Sequence, residues 1–452
     1  MSQKEFKVLS PTAILGYGFP EESFARGIEY TPDLIAVDAG SVDPGAYYLG
    51  AGKSFTNRTG VKRDLALMLK AGIEKNIPVM IGTAGGSGAK PHVHWCRDII
   101  LEIAKEYGLH FKMGIIYADI DKSLIIESMH QGKVTPLSSV PPLTEAVVNE
   151  SVNIVAQMGV EPFQKAFQLG CQVVLAGRAY DPSCFAALPM MKGFDPALCL
   201  HMGKILECAA IAAEPGSGAD SVLGILQEDG FVLRALSSER KFTSHSTAAH
   251  SLYEKSDPYY LPGPGGVLDL REVVFEEIGH GEVKVKGTKF IPSPQYQIKL
   301  EGVRKVGYRT ISVAGTRDPI MIEKIEETIV AVQKRVEMLL KHENITGEVF
   351  FHIYGKNGVM GKLEPCKEVK SHELGILMEV VAPTQDAADT ICSLTRSTLL
   401  HYGYAGRIST AGNLAFPFSP SDTPCGPVYT FSLYHLMDLP SQDIFPIETM
   451  TI

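Results

Sequence analysis

Aromatic residues are scarce in this 452-residue chain: they make up 8% of it, and there is one tryptophan. That leaves little for a base-stacking platform. Runs of Lys and Arg are missing as well. The 42 basic and 51 acidic residues leave a net charge of −9, so neither nucleic acid nor an anionic membrane is expected as a partner. No apolar run reaches the about 20 residues that cross a bilayer. None of the eight cysteines lies in a Cys-x-x-Cys pair, which excludes a dense disulfide scaffold and ribbon-type zinc sites. The start, Met1 to Lys7, is charged, with no apolar segment behind it. A secretory signal is therefore not expected, and the cytoplasm is the expected compartment. No Gly-x-Ser-x-Gly motif marks a serine hydrolase.

What is present fits a large soluble enzyme. Hydrophobic residues make up 45% and charged residues 21%, enough for a substantial core and against disorder. The length predicts two or three domains at about 100–200 residues each. Through about residue 215, short apolar runs alternate with amphipathic stretches. Leu34–Val37, Pro78–Ile81, Met113–Tyr117 and Val173–Ala176 read as strands, and Arg63–Lys75 and Val93–Tyr107 as helices. Nearly continuous apolar strands between helices imply a buried parallel sheet. Beyond Pro215, period-two alternation in Phe231–Ala235, Glu282–Lys286 and Tyr296–Leu300 predicts antiparallel strands. The expected fold is α/β: a parallel-sheet N-terminal domain with an antiparallel β-rich extension, spanning 1–340, and a small α+β domain over 345–452.

Ligands of open parallel sheets bind beyond the carboxyl ends of the strands. Four such ends carry polar residues. They are Asp38 with Ser41 and Asp43, the segment Gly82 to His94, Asp119, and Gly177-Arg178 with Asp181. The bland alternative for each Asp is a helix cap or a turn. Four glycines between Gly82 and Gly88 let a ligand approach the backbone, whose N–H groups with the helix start suit an anion. The loop is neither a P-loop nor a Gly-x-Gly-x-x-Gly turn. Thr83, Gly85, Gly86 and Ser87 on this loop, with Asp38, Lys90 and Arg178, are the candidate substrate-binding residues. His92 and His94 could ligate a metal from an extended segment, but at a helix start they diverge by about 200°. One catalytic and one packing histidine is the expected outcome. Cys208, beside Glu207, reads as a core residue.

Several of these segments resemble one family. Ala176 to Ser183 looks like the Gly-Arg-x-x-Asp-x-Ser motif of the acyclic terpene utilisation (AtuA-type) family. Gly203 to Cys208 resembles its Gly-His-Leu-Leu-Glu-Cys segment, with Lys204 where His is usual. Thr247 to Pro258 is similar to a further motif, and Gly82 to Pro91 matches loosely, departing at Lys90 and His92. Gly412 to Asp422 looks like part of the small ferredoxin-like domain that accompanies these proteins. The resemblance covers most of the chain and implies breakdown of branched acids or acyl-CoA compounds.

The expected function is a catabolic enzyme acting on a small carboxylate or acyl thioester, by lyase, hydratase or isomerase chemistry next to a carbonyl. Arg178 and the Gly82–Gly88 backbone would bind the carboxylate or carbonyl oxygen. His92 would be the general acid or base, with Asp181 or Asp119 orienting it. No cofactor is predicted, and a homo-oligomer is expected. One alternative is a hydrolase of a C–N or ester bond, with water activated by a divalent metal on His92, His94, Glu207 or His245. The other is a non-catalytic binding or assembly subunit.

Overall fold

A computed structural model describes residues 5–253, 257–408, 411–439 and 443–452, apart from the His342 side chain. Residues 254–256 of the Thr247–Pro258 motif and 1–4 of the charged start lie outside the described residues. The chain divides into two compact units, residues 1–304 with 431–452, and residues 305–430.

The first unit is built on a 10-stranded sheet. Its middle is parallel, in the order Phe6–Ser10, Leu34–Asp38, Val79–Gly82, Val173–Ala176, Lys112–Ile116. These strands are almost wholly buried because helices cover both faces. On one face Ile35, Val37, Val79 and Ile81 share a core with Leu65, Met68, Leu69, Val93 and Ile100 of the helices Arg58–Glu74 and Lys90–Tyr107. Side chains alternate along a strand, so Asp38 faces the opposite side, where the helix Ser183–Met191 packs on Leu34–Asp38. Asp38 pairs with Gly82, and Ile81 with Leu175. The carboxyl ends of three strands therefore finish side by side.

Four of the antiparallel strands beyond residue 215 continue this same sheet at one edge, while Tyr260–Gly263, Gly266–Asp269 and Lys289–Pro292 form a separate three-stranded sheet. Val222–Leu226 pairs with the free edge of Phe6–Ser10, and Phe231–Ala235, Glu282–Lys286 and Val274–Gly279 follow in turn. At the other edge Ile447–Thr451 pairs with Lys112–Ile116. The start of the long strand Gln297–Thr316 pairs with Asn153–Ala156, Leu300 opposite Ala156.

The second unit is α+β. Tyr308–Thr316 pairs with Leu374–Ala382, which pairs with Glu348–Tyr354, all antiparallel. Ile376, Met378 and Val380 share a core with Val332, Val336 and Leu340 of the helix Ile325–Glu343 and with Ile391 of the helix Gln385–Leu400. The division therefore falls earlier than the expected 340/345 boundary, and the last strand belongs to the first unit rather than to a 345–452 domain. The physical reason is that Gln297–Thr316 runs unbroken through residue 304, so no loop composition marks the join. No helix among the described residues is long and apolar enough to cross a membrane.

Candidate functional site: a buried carboxylate cluster at the strand ends

Three carboxylates converge at the carboxyl end of the parallel strands. Asp38 ends Leu34–Asp38, Asp181 follows Val173–Ala176, and Glu207 ends the helix Pro196–Leu206. Asp195 fixes the start of that helix by accepting from the backbone N–H groups of Ala197 and Leu198. One oxygen from each of the three carboxylates lies within 4.8 Å of those of the other two. Burial first, and the charge of Asp181 next, hold the Asp38 carboxyl well above its ordinary range, while Arg178 opposes them. Asp38 Oδ1 accepts no hydrogen bond.

Cations stand around the cluster, already engaged. Arg178 is buried. Its Nε donates to Glu301 Oε2 at 2.7 Å and its Nη2 to Glu301 Oε1 at 3.3 Å, while Nη1 reaches Asp181 Oδ1 at 3.1 Å. Glu301 also accepts from Lys299 at 2.9 Å and from Gln157 at 3.2 Å. Burial alone would raise the Glu301 carboxyl, but Arg178 and Lys299 hold it below its ordinary value. Lys204 donates to Glu207 and lies over the Tyr253 ring. Burial would lower the Lys204 ammonium, but Glu207 and Asp181 raise it. Among the described residues, Arg178, Lys204 and Lys299 thus stand against Asp181, Glu207 and Glu301.

Two cavities open on this group. One, of ≈ 380 Å³, has Arg178, Asp181, Lys299 and Gln157 in its wall beside Leu137, Leu436, Pro262, Tyr180 and Tyr434. The other, of ≈ 280 Å³, is lined by Asp38, Asp181 and Glu207 with Tyr17, Phe55 and Tyr253. Ser41, Asp43 and Asp181 line both.

The glycine-rich loop is placed differently. Gly85, Gly86 and Gly88 have φ of +63°, +89° and +69°, which glycine adopts without strain. A Cβ on Gly88 would stand 2.1 Å from the Arg178 backbone N, and one on Gly85 2.8 Å from His92 Cβ. The loop is thus packed against the chain itself, and Thr83, Gly85, Gly86 and Ser87 line neither cavity. The Thr83 hydroxyl accepts from the Ala179 N–H at 3.3 Å. Buried Ser87 Oγ has no hydrogen-bond partner.

His92 is fully buried, its Nε2 3.1 Å from the carbonyl oxygens of both Tyr48 and Lys53. Two acceptors require that nitrogen to donate. Burial lowers the pKa of the ring against these bonds, so it is neutral. His94 points elsewhere, its Nε2 3.3 Å from the Tyr117 hydroxyl. Asp119 accepts from the Lys90 backbone N–H at 3.2 Å, and the exposed Lys90 ammonium lies over the Tyr117 ring at 5.4 Å. His245 is exposed on the helix Ser244–Ser251.

The structure therefore brings together Asp38, Arg178, Asp181 and Glu207. It does not bring His92, His94, Glu207 and His245 to one point, because each histidine is held by or faces different surroundings. Lys299, Glu301 and Gln157 were not singled out in the sequence. Their signal is a pair of opposite charges, Lys299 and Glu301, two residues apart and flanking apolar Leu300 in an alternating strand. Lys204 stood out only as a departure from His.

The chain is thus a mixed α/β protein with buried ionisable groups at the strand ends of its main sheet, the place where open sheets of this kind commonly build ligand sites. The model of the acyclic terpene utilisation family protein AtuA matches residues 57–416, and the chain belongs to that family. No curated protein and no solved structure gives a significant match. The match spans both motif segments that supply the site, Gly177–Ser183 and Gly203–Cys208. The family is one of acyclic terpene catabolism.

Proposed function

We propose that the chain is an enzyme that acts on a branched carboxylate or its acyl thioester, by lyase, hydratase or isomerase chemistry at the carbon next to the carbonyl. The observation that carries this reading is the ≈ 380 Å³ cavity, whose lining sets Leu137, Leu436, Pro262 and two tyrosines beside the charged groups of Arg178, Asp181 and Lys299. Such a mixed lining offers apolar contacts for an acyl chain and polar groups for its carboxylate or carbonyl. In this reading Asp181, only partly buried, is the general base or acid. Lys299 faces the carboxylate or carbonyl oxygen. Arg178 is a positioning residue, since its guanidinium fork is taken by Glu301 and its remaining arm holds Asp181.

A hydrolase that activates water is the second reading, favoured by the three carboxylates lining the adjoining ≈ 280 Å³ cavity. One experiment separates the readings. The purified chain is incubated in D₂O with branched unsaturated acids and their thioesters, and the products are weighed by mass spectrometry. Deuterium at the carbon next to the carbonyl supports the first reading, and cleavage of the ester or amide without such exchange supports the second. Binding with neither outcome contradicts both and favours a non-catalytic subunit.

A further inference from the structure

We infer that Asp38, Asp181 and Glu207 hold a hard divalent cation, of the Mg²⁺ or Mn²⁺ kind, in the wall of the ≈ 280 Å³ cavity. The inference goes beyond the reaction proposed above, and its test reads ion binding, which succeeds or fails independently of turnover.

Two observations carry it. The first is the donor set: three carboxylates from two strand ends and one helix end, with one oxygen of each within 4.8 Å of the others. All-oxygen donors select hard cations, and three of them leave further positions of a six-coordinate ion for water or substrate. The second is Asp38, whose side chain is among the buried groups of the unit and whose Oδ1 accepts no hydrogen bond, although it lines the same cavity as Asp181 and Glu207. A buried carboxylate oxygen without a donor is a costly arrangement that a cation relieves.

The surroundings fit the same ion. Arg178 and Lys204 fix the orientation of two of the three carboxylates, as outer partners of metal ligands do. Of the softer donors nearby, Cys208 lines the cavity beside Glu207, and two others are engaged elsewhere. Cys184 Sγ points at the Val37 carbonyl, and His92 is held by Tyr48 and Lys53. The site is formed wholly within the first unit, by residues whose strand register sets them side by side.

The test uses the full chain stripped of metal with a chelator and titrated with Mn²⁺. Free ion is followed by electron paramagnetic resonance, and Mg²⁺ is the competitor. One Mn²⁺ per chain, displaced by Mg²⁺, is expected. Asp38→Asn and Asp181→Asn should each weaken binding at least tenfold, with circular dichroism unchanged, and His92→Gln should leave it intact. Asp181 is the less buried of the two, so its variant still reads out if Asp38→Asn fails to fold. The inference is overturned by no Mn²⁺ binding at millimolar concentration, by binding that Asp181→Asn does not weaken, or by Zn²⁺ binding where Mn²⁺ and Mg²⁺ do not bind.

Discussion

The loops that follow Val79–Gly82 and Val173–Ala176 leave the sheet side by side and serve opposite ends. The first is rich in glycine, and its glycines are used up in packing: Gly88 lies against the Arg178 backbone, and Gly85 against His92. The second has one glycine before Arg178 and carries the charges that border both cavities. A loop's composition thus reports how closely its backbone is approached, but not by what. Here the neighbouring loop takes the place that a ligand would have in a phosphate-binding turn. The groups left facing open volume are the carboxylates of the other strand ends.

This contrast can be broken by substitution, and the largest effect is expected at the packed loop. Gly88→Ala places a Cβ against backbone at a φ of +69°, where neither the loop nor Arg178 can yield. A loss of more than about 4 kcal/mol is expected, seen as failure to fold or a collapsed denaturation midpoint. Near-native stability would mean that the two loops are not in contact.

Glu301→Gln comes next. It leaves buried Arg178 and half-buried Lys299 without their shared counter-charge, at a cost of about 3 kcal/mol in urea denaturation. The sign with pH follows from the lowered Glu301 pKa. Its stabilisation is present above the ordinary value of 4.5 and is lost as pH falls through the lower folded value. The variant should therefore have a flatter acid limb than the wild type, and an unchanged limb would deny the ion pair.

Asp181→Asn should act on the reaction instead. Its side chain is partly exposed, so stability should change by less than about 1 kcal/mol. Turnover should fall about 100-fold or more, the range of a lost general base.

His92→Gln is the mildest. The amide can still donate to one of the two carbonyls, so a loss of about 1 kcal/mol in stability is expected. Burial lowers the pKa of His92, so its neutral form stabilises the fold fully above the ordinary value of 6.5, and that contribution fades as pH falls below it. The variant should lose this part of the dependence below pH 6.5 in thermal melts. A slope equal to that of the wild type would contradict the buried neutral ring.

The buried parallel strands were legible because burial on both faces leaves apolar runs with no polar interruption, as in Val173-Val-Leu-Ala176. Phe231–Ala235 and Glu282–Lys286 were legible from alternation alone. Asp422–Asp438 was not, since Pro424, Gly426 and Cys425 interrupt any period at its start. Nor was the fate of Ile447–Thr451, whose partner Lys112–Ile116 lies more than 300 residues earlier. The same limit governs the site. Asp38, Arg178 and Asp181 could be named because strand ends concentrate ligand-facing groups, and Glu207 only as one of the alternative metal ligands, from a helical segment. Glu301 could not be matched to Arg178, because a pairing across 123 residues leaves no local spacing to read. His92 drew attention by standing after the glycines, and only its two carbonyl contacts reveal how it is held.

The most direct test of the carboxylate cluster as the reactive centre is turnover per folded molecule, measured in parallel for Asp181→Asn and His92→Gln on the branched acid or thioester that the wild type converts. The expected result is near-complete loss for Asp181→Asn and at least half of wild-type turnover for His92→Gln. Full activity in Asp181→Asn, with loss confined to His92→Gln, would contradict it and return the chemistry to the glycine-rich loop.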